Sequence, residues 1–268
     1  MLEFLQKKLE LEKMNRFKRI NKIRKNLQNR KITIGSWMQI PNSSVAEIMG
    51  KAGYDWIAVD LEHGSITTSQ LPDLFRAIEL GGTLPIARIA QGTLKNCKSA
   101  LDSGAGGIII PMVESAEQLE SCIEWSSWPP VGKRGVGFSR ANLFGKYFEE
   151  YKQEAIQPLI IAQIEHIKSV ENLNAILNVK GLDAIMIGPY DLSASMGITA
   201  QFENSEFVSI LEKILFIAKK NNIPSGIHVV KPDKQELQKK IEEGFRFIAY
   251  SIDAVFLIEN SAKPEVIK

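Results

Sequence analysis

The sequence lacks several features that would decide its class at once. Its 268 residues contain only two cysteines, Cys97 and Cys122, whose spacing fits neither a metal-ligand pattern nor a disulfide framework. Both are expected to be buried thiols in a reducing cytosol. No apolar run approaches the ~18 residues that would cross a bilayer, so no membrane partner is expected. The apolar residues nearest the N-terminus are interrupted by charges, so no signal peptide is expected and the protein is expected to be cytoplasmic. No glycine-rich dinucleotide fingerprint follows the first strand-like run, which argues against an open doubly wound sheet.

Charge is unevenly spread. Residues 1–31 carry eleven Lys/Arg and three Glu, a balance of +8, which leaves −6 for the remainder of a chain whose net charge is +2. The basic segment has apolar residues at rough helical spacing (Phe17, Ile20, Ile23, Leu27) but no interleaved aromatics and no clean apolar face. It is therefore expected to be a solvated lead-in helix covering the floor of the domain, with no nucleic acid bound. The first dozen residues are expected to be disordered or to precede a start at Met14.

One pattern then recurs along the chain: an apolar run, a turn, a helical stretch, a glycine and the next run. The runs are ITIGSWMQI, YDWIAVDLE, LPIARIA, GGIIIPMV, PLIIAQIE, LDAIMIG, IPSGIHVV and FRFIAYSID. Helices are expected from about Ser43 to Ala52, Ser69 to Leu80, Leu94 to Asp102 and Ala116 to Ser126. A glycine just past a helix ends it in the left-handed conformation, and continuous Val/Ile runs mark strands buried on both faces of a parallel sheet. Eight such units predict a (β/α)₈ TIM barrel over residues 31–268, preceded by the helical lead-in over 1–30; ~250 residues suits that fold as one domain.

Chemistry in such barrels sits at the C-terminal strand ends. There the sequence places Asp60, Glu62 and His63, then Arg88, then Gln163 and Glu165, then Asp191, then His228 and Lys231, then Ser251 and Asp253. Glu165 and Asp191 close two successive strands, and paired carboxylates suit a hard divalent cation. The competing reading pairs Glu165 with a rim Arg or Lys and makes Asp191 a helix N-cap. Arg88, inside an otherwise apolar run, either pairs with Asp60 or turns its donor fork to a bound anion. His63, beside two acids, has the surroundings of a general base. His166 reads as structural and His228 as core or support. Lys133, Arg134 and Arg140 in the long loop meet substrate anions, solvent or a neighbouring subunit.

VDLEHG, PIARI, IIPMV, PPVGKRGVG, QIE and IGPYDLSASMG, in this order, resemble the HpcH/HpaI-type class II pyruvate aldolases. These metal-dependent enzymes act on 4-hydroxy-2-oxoheptanedioate, with relatives acting on 2-keto-3-deoxy sugar acids. The resemblance runs from about Asn15 to the last helix. It implies reversible cleavage of a 4-hydroxy-2-oxo acid to pyruvate and an aldehyde. It also implies Mg²⁺, Mn²⁺ or Co²⁺ held by Glu165 and Asp191, and Arg88 on the pyruvyl oxygen. His63 would be the base, with Asp102 orienting it, and Gln163 would lie near the oxo acid. The turn at Gly188-Pro189, with the backbone amides of Tyr190 and Asp191, would receive its carboxylate. Ser139, Arg140 and Asn142 suggest a polar, sugar-like aldehyde. Relatives assemble as hexamers with terminal helices exchanged, which makes a homo-oligomer the expectation and the tail after Asp253 the exchange segment. Three rivals stand beside this reading: a Schiff-base aldolase using Lys231, an acyl-CoA lyase related to the citrate lyase beta subunit, and a barrel that binds ligands without catalysis.

Overall fold

The computed structural model describes residues 16–264; the expectation about the first dozen residues lies outside the described residues. Eight parallel strands close into one barrel in chain order. They are β1 (Thr33–Met38), β2 (Trp56–Asp60), β3 (Leu84–Arg88), β4 (Gly107–Ile110), β5 (Leu159–Ile164), β6 (Ala184–Ile187), β7 (Ser225–Val229) and β8 (Phe247–Ile252). All eight apolar runs of the sequence become these strands.

Helix α1 (Arg16–Gln28) precedes the barrel. Between strands lie α2 (Ser43–Lys51), α3 (Leu71–Gly81), α4 (Leu94–Asp102), α5 (Ala116–Ser126), α6 (Phe148–Ala155), α7 (Ile167–Glu171), α8 (Leu173–Leu177), α9 (Pro189–Ser195), α10 (Ser205–Lys220) and α11 (Lys234–Glu243). Helix α12 (Asp253–Asn260) follows β8. Left-handed glycines end α3 at Gly82 and α11 at Gly244, as the glycine pattern predicts.

Strand residues alternate between two cores, because successive side chains leave opposite faces of the sheet. Ile57, Val59, Ile108, Ile110, Ile160, Ile185 and Ile248 pack outward against the helices. Trp37, Trp56, Leu84, Ile86, Ile109, Ile161, Met186 and Phe247 fill the lumen. Ile20, Ile23 and Leu27 of α1 join that inner cluster and are 0–2% exposed, so the lead-in helix closes the barrel floor. Trp56 stacks on Phe247 with centroids 4.2 Å apart. A Cβ at Gly35 would lie 2.0 Å from the Trp56 ring, so glycine is what lets β1 pass this indole.

The long segment after α5 stays at the floor. Arg16 bonds to Glu154 at 2.8 Å and to Glu79 at 3.0 Å, and its guanidinium also donates to the Ala141 carbonyl. Arg140 pairs with Glu79 as well. This ionic cluster ties α1 to α3 and to the loop. Cys97 and Cys122 are both buried and unbridged.

Candidate active site

The polar rim at the C-terminal strand ends opens into a cavity of about 1130 Å³ that extends past β7 between α10 and α11. Strand ends deliver the groups to it. Inward positions are set by the period-2 alternation, so Trp37, Asp60, Arg88, Gln163 and His228 stand above the apolar lumen.

Arg88 and Asp60 face each other across paired strands, with Cα partners in register. The guanidinium grips Asp60 as a fork, Nε to Oδ1 at 2.8 Å and Nη2 to Oδ2 at 2.6 Å. Its third nitrogen, Nη1, lies 3.2 Å from Glu62 Oε2. The first alternative for Arg88 is met: two nitrogens are committed to Asp60, and the group lines the cavity. Asp60 does more than pair. Its Oδ1 also accepts the backbone N–H groups of Glu62 at 3.0 Å and His63 at 3.3 Å, and its Oδ2 accepts from Gln39 Nε2 at 2.9 Å. Gln39 is itself held by Asp253, whose carboxylate accepts the N–H groups of Gln39 and Ile40, each at 2.9 Å. Burial alone would raise the Asp60 pKa, but Arg88 and the other donors hold it below its ordinary value.

Glu165 is 2% exposed. Its Oε1 accepts the Met112 N–H at 2.6 Å, and its Oε2 accepts from Gln163 Nε2 at 2.7 Å. Among the described residues no basic side chain forms an ion pair with it, so the expectation of an Arg or Lys partner is not met there. Burial pushes its pKa up to about 7; Glu62 and Asp191 push the same way, against the Met112 N–H and Arg88. Gly188 explains itself beside it: a Cβ there would lie 2.5 Å from Glu165 Oε2 and 2.8 Å from Glu165 Cβ. Only glycine leaves the carboxylate room.

Asp191 is not a helix cap. Gly188 is the N-cap residue of α9 and Pro189 follows it, leaving Asp191 in the first turn with no capping bond. Its carboxylate is exposed and lines the cavity. Tyr190 stacks edge-on against Phe202 with centroids 5.0 Å apart. The N–H groups of Tyr190 and Asp191 lie in the first turn of α9, where a helix offers no internal acceptor.

Glu165 and Asp191 fit a hard divalent cation on two grounds. Burial raises the pKa of both Glu62 and Glu165, and the Asp191 carboxylate adds to the rise in each, so negative charge is gathered in a partly desolvated site. Their oxygens are also the ligands Mg²⁺ and Mn²⁺ prefer. Among the described residues no three His, Cys, Asp or Glu converge tightly enough to hold an ion alone. Two carboxylates completed by water or substrate is the arrangement Mg²⁺ accepts.

The raised pKa has a consequence for the metal-free protein. Glu165 keeps a proton up to about pH 7 when folded but releases it near 4.5 when unfolded. The folded state then holds more protons, so this group's contribution is present below 4.5 and is lost as pH rises through 7, on the order of 3 kcal/mol. His228, lowered by burial to about 4, acts with the opposite slope between 4 and 6.5. The comparison is therefore wild type minus Glu165→Gln. Urea unfolding should show wild type losing stability relative to the variant between pH 5 and 8. An unchanged difference would contradict the burial of an unpaired carboxylate.

Other expected site residues lie elsewhere. Asp102 ends α4, which starts at the rim and runs back toward the opposite face of the barrel; its carboxylate binds Lys98 at 2.8 Å. It is not brought to His63 within the chain. His63 lines the cavity mouth and is exposed, and Glu62 is the acid beside it. Ser139, Arg140 and Asn142 do not reach the cavity either. Asn142 accepts from the Ser139 and Gly145 N–H groups, and Arg140 serves the ionic cluster at the floor. Lys133 pairs with Glu124 at 2.8 Å; Arg134 is buried and donates to the Tyr151 hydroxyl at 2.9 Å. His166 caps α7 through Nδ1. Trp37, Gln39 and His228 are the lining residues that pattern reading missed or ranked too low; their signal was the inward register of β1 and β7.

The fold is a closed parallel (β/α)₈ barrel whose polar groups are gathered at the C-terminal strand ends. The chain belongs to the HpcH/HpaI aldolase/citrate lyase family, whose model matches residues 33–260, and it is an enzyme of the aldolase/lyase type. It is 34% identical over 243 residues to a hydroxypyruvate/pyruvate aldolase of Roseobacter denitrificans, covering 90% of this chain and 94% of that one. It is 34% identical over 242 residues to a 2-keto-3-deoxy-L-rhamnonate aldolase of Salmonella typhi, covering 89% and 90%. Among solved structures, a family protein from Burkholderia cenocepacia superposes with a TM-score of 0.84 at 27% identity, covering 90% of this chain and 96% of that one.

Proposed function

We propose that the protein is a divalent-metal-dependent aldolase that reversibly cleaves a 4-hydroxy-2-oxo acid into a pyruvate-type 2-oxo acid and an aldehyde. The observation that carries this is Glu165, a buried carboxylate with no basic partner among the described residues, grouped with Asp191 at the rim beside an arginine. Aldolases among its relatives support the same reading.

Glu165 and Asp191 would hold the cation, which would supply Lewis acidity toward the oxo and carboxylate oxygens of the substrate. The chain's own residues account for the remainder. Arg88, fixed by its two bonds to Asp60 and with Nη1 shared with Glu62, lines the cavity and would meet the negative charge that grows on the oxo oxygen as the C3–C4 bond breaks. His63 takes the proton of the C4 hydroxyl as the aldehyde leaves. The enolate then gains a proton at C3 to give the oxo acid. The Tyr190 and Asp191 amides receive the substrate carboxylate; Pro189 has no N–H and only shapes the turn.

Lys231 lines the cavity but is exposed. A Schiff-base lysine typically sits in a desolvated pocket, whereas Lys231 is exposed. The proposal includes assembly of several copies in the cytoplasm, with the exposed Leu257 and Ile258 of α12 at the contact. The test is a screen of aldehydes against pyruvate with Mg²⁺, Mn²⁺ or Co²⁺, following carbon–carbon bond formation. Product with metal and none after chelation is expected. Product that survives chelation but is trapped by borohydride would replace this mechanism with the lysine one.

A further inference from the structure

One buried carboxylate organises the wall of the site between β2 and β3. Asp60 is fully buried and accepts five hydrogen bonds. Its Oδ1 takes Arg88 Nε and the N–H groups of Glu62 and His63, and its Oδ2 takes Arg88 Nη2 and Gln39 Nε2. The terminal torsion of an aspartate has only a broad preference, so the donors decide how the carboxylate plane is turned. Among the described residues, Gln39 is the one donor that comes from neither Arg88 nor the turn after β2. A carboxylate only accepts, so the Gln39 amide turns its NH₂ group to Oδ2, at 2.9 Å.

Gln39 is itself anchored. Asp253 is buried and accepts the Gln39 and Ile40 N–H groups, each at 2.9 Å, and the Ala254 N–H at 2.8 Å. The register of β1 against β8 shifts between Gly35 and Trp37, and Ser251 at that point of β8 is left-handed at φ +59. A bulge of this kind re-aims the side chains beside it, here delivering Asp253 to the end of β1. The turn after β2 also packs on Gln39: a Cβ at Gly64 would lie 2.9 Å from the Asp60 carbonyl oxygen and 3.7 Å from that of Gln39. Gln39 lines the cavity together with His63 and Arg88.

We infer that Gln39 is a positioning residue for the reaction. Its amide turns the Asp60 carboxylate so that this one anion both aims the Arg88 guanidinium at the bound 2-oxo acid and seats the turn that carries His63. The inference rests on the proposed aldolase reading for its reaction, but a binding measurement tests it apart from turnover. Arg88 answers charge that an enolate carries and the oxo oxygen of pyruvate does not. A misaimed guanidinium therefore weakens an enolate mimic more than it weakens the ground-state ligand. Asp60 keeps its other bonds when the amide is lost, which sets the effect at the low end for a hydrogen bond to a charged group, about tenfold.

The test titrates oxalate, a planar dianion shaped like the enolate, and pyruvate into the metal-loaded protein by calorimetry, and follows retro-aldol kcat and KM between about pH 5 and 8. Wild type is set against Gln39→Met and Gln39→Glu. Methionine keeps the length of the side chain and removes the donor. In Gln39→Met the oxalate Kd should rise about tenfold while the pyruvate Kd stays within about twofold, and kcat should fall about tenfold with KM little changed. The carboxyl introduced by Gln39→Glu faces Asp60, with Arg88, Glu62, His63 and Asp253 around it. Protonated, it donates to Oδ2 as the amide does; ionised, it opposes Asp60, and that opposition raises its pKa. The kcat of Gln39→Glu relative to wild type should therefore be near one at low pH and fall about tenfold as pH rises, whereas the Gln39→Met ratio stays flat. Equal losses for oxalate and pyruvate, an oxalate Kd within about twofold of wild type in Gln39→Met, or a Gln39→Glu ratio that does not fall with pH overturns the inference. A selective loss of oxalate in Gln39→Met, with no aldol turnover in any of the proteins, would uphold the role of Gln39 at the anion site and sink the aldolase reading instead.

Discussion

Arg88→Ala is expected to lower kcat/KM for retro-aldol cleavage by about 10²–10³, the usual cost of one preorganised donor aimed at developing negative charge. The fork geometry adds a second effect. Asp60 is fully buried and its two oxygens hold Arg88, so the alanine variant leaves an uncompensated carboxylate in the wall of the barrel. Breaking such a pair costs ~3–5 kcal/mol, which lowers the urea midpoint. Arg88→Lys separates the two effects: it keeps a charge near Asp60 but not the planar fork. It should restore most of the stability and little of the rate. Cation affinity, carried by Glu165 and Asp191, should change little in either variant. Near-normal turnover in Arg88→Ala would remove arginine from the chemistry.

Glu165→Gln is expected to abolish most turnover by a different route. Glutamine fits the same space beside Gly188 and can still accept the Met112 N–H. It loses the charge and the acceptor for Gln163 Nε2, but the Gln163 amide can turn its unpartnered Oε1 to the new NH₂ group, so the fold should remain intact. Metal affinity should fall at least ~10²-fold, since even groups that merely support a ligand cost 10–100-fold. Asp191→Asn should act alike without the stability change, because Asp191 is exposed whereas Glu165 is buried. The two variants are thus distinguishable: both lose metal, and only Glu165→Gln gains stability at pH 8 relative to metal-free wild type. Unaltered metal affinity in both would contradict the placement of the ion.

The barrel was legible because its instructions are local and repeated. Each unit carries its own apolar run, its own helix and, at Gly82 and Gly244, its own left-handed stop. The carboxylates at the ends of β5 and β6 were legible for the same reason: strand ends in a parallel barrel all point one way. The fold then decided what pattern alone left even. Asp191 falls two residues past the N1 proline of α9, too late to cap it, and Glu165 finds donors but no cationic partner.

Residues on helices and long loops were less readable, because their end of the barrel depends on how far each segment runs back. Asp102 sits at the far end of α4 and Arg140 at the floor, although both read as site residues along the chain. His228 was missed for another reason. A histidine inside a strand reads as a buried polar group unless its partner is known, and that partner, the Ser251 carbonyl, is 23 residues away on β8. The chain from Asp253 through Gln39 to Asp60 runs partly through backbone N–H groups, which leave no mark in sequence.

The most direct measurement asks whether the rim makes an enolate, without needing the aldehyde. Pyruvate is incubated with the protein in D₂O and its methyl protons are followed by NMR, with Mg²⁺ or Mn²⁺ and then with excess chelator. Deuterium should enter the methyl group with metal, stop on chelation, return when metal is restored, and be at least ~10²-fold slower in Arg88→Ala. No exchange with any divalent cation, or exchange that continues undiminished after chelation, would contradict a metal-dependent pyruvate aldolase at this site.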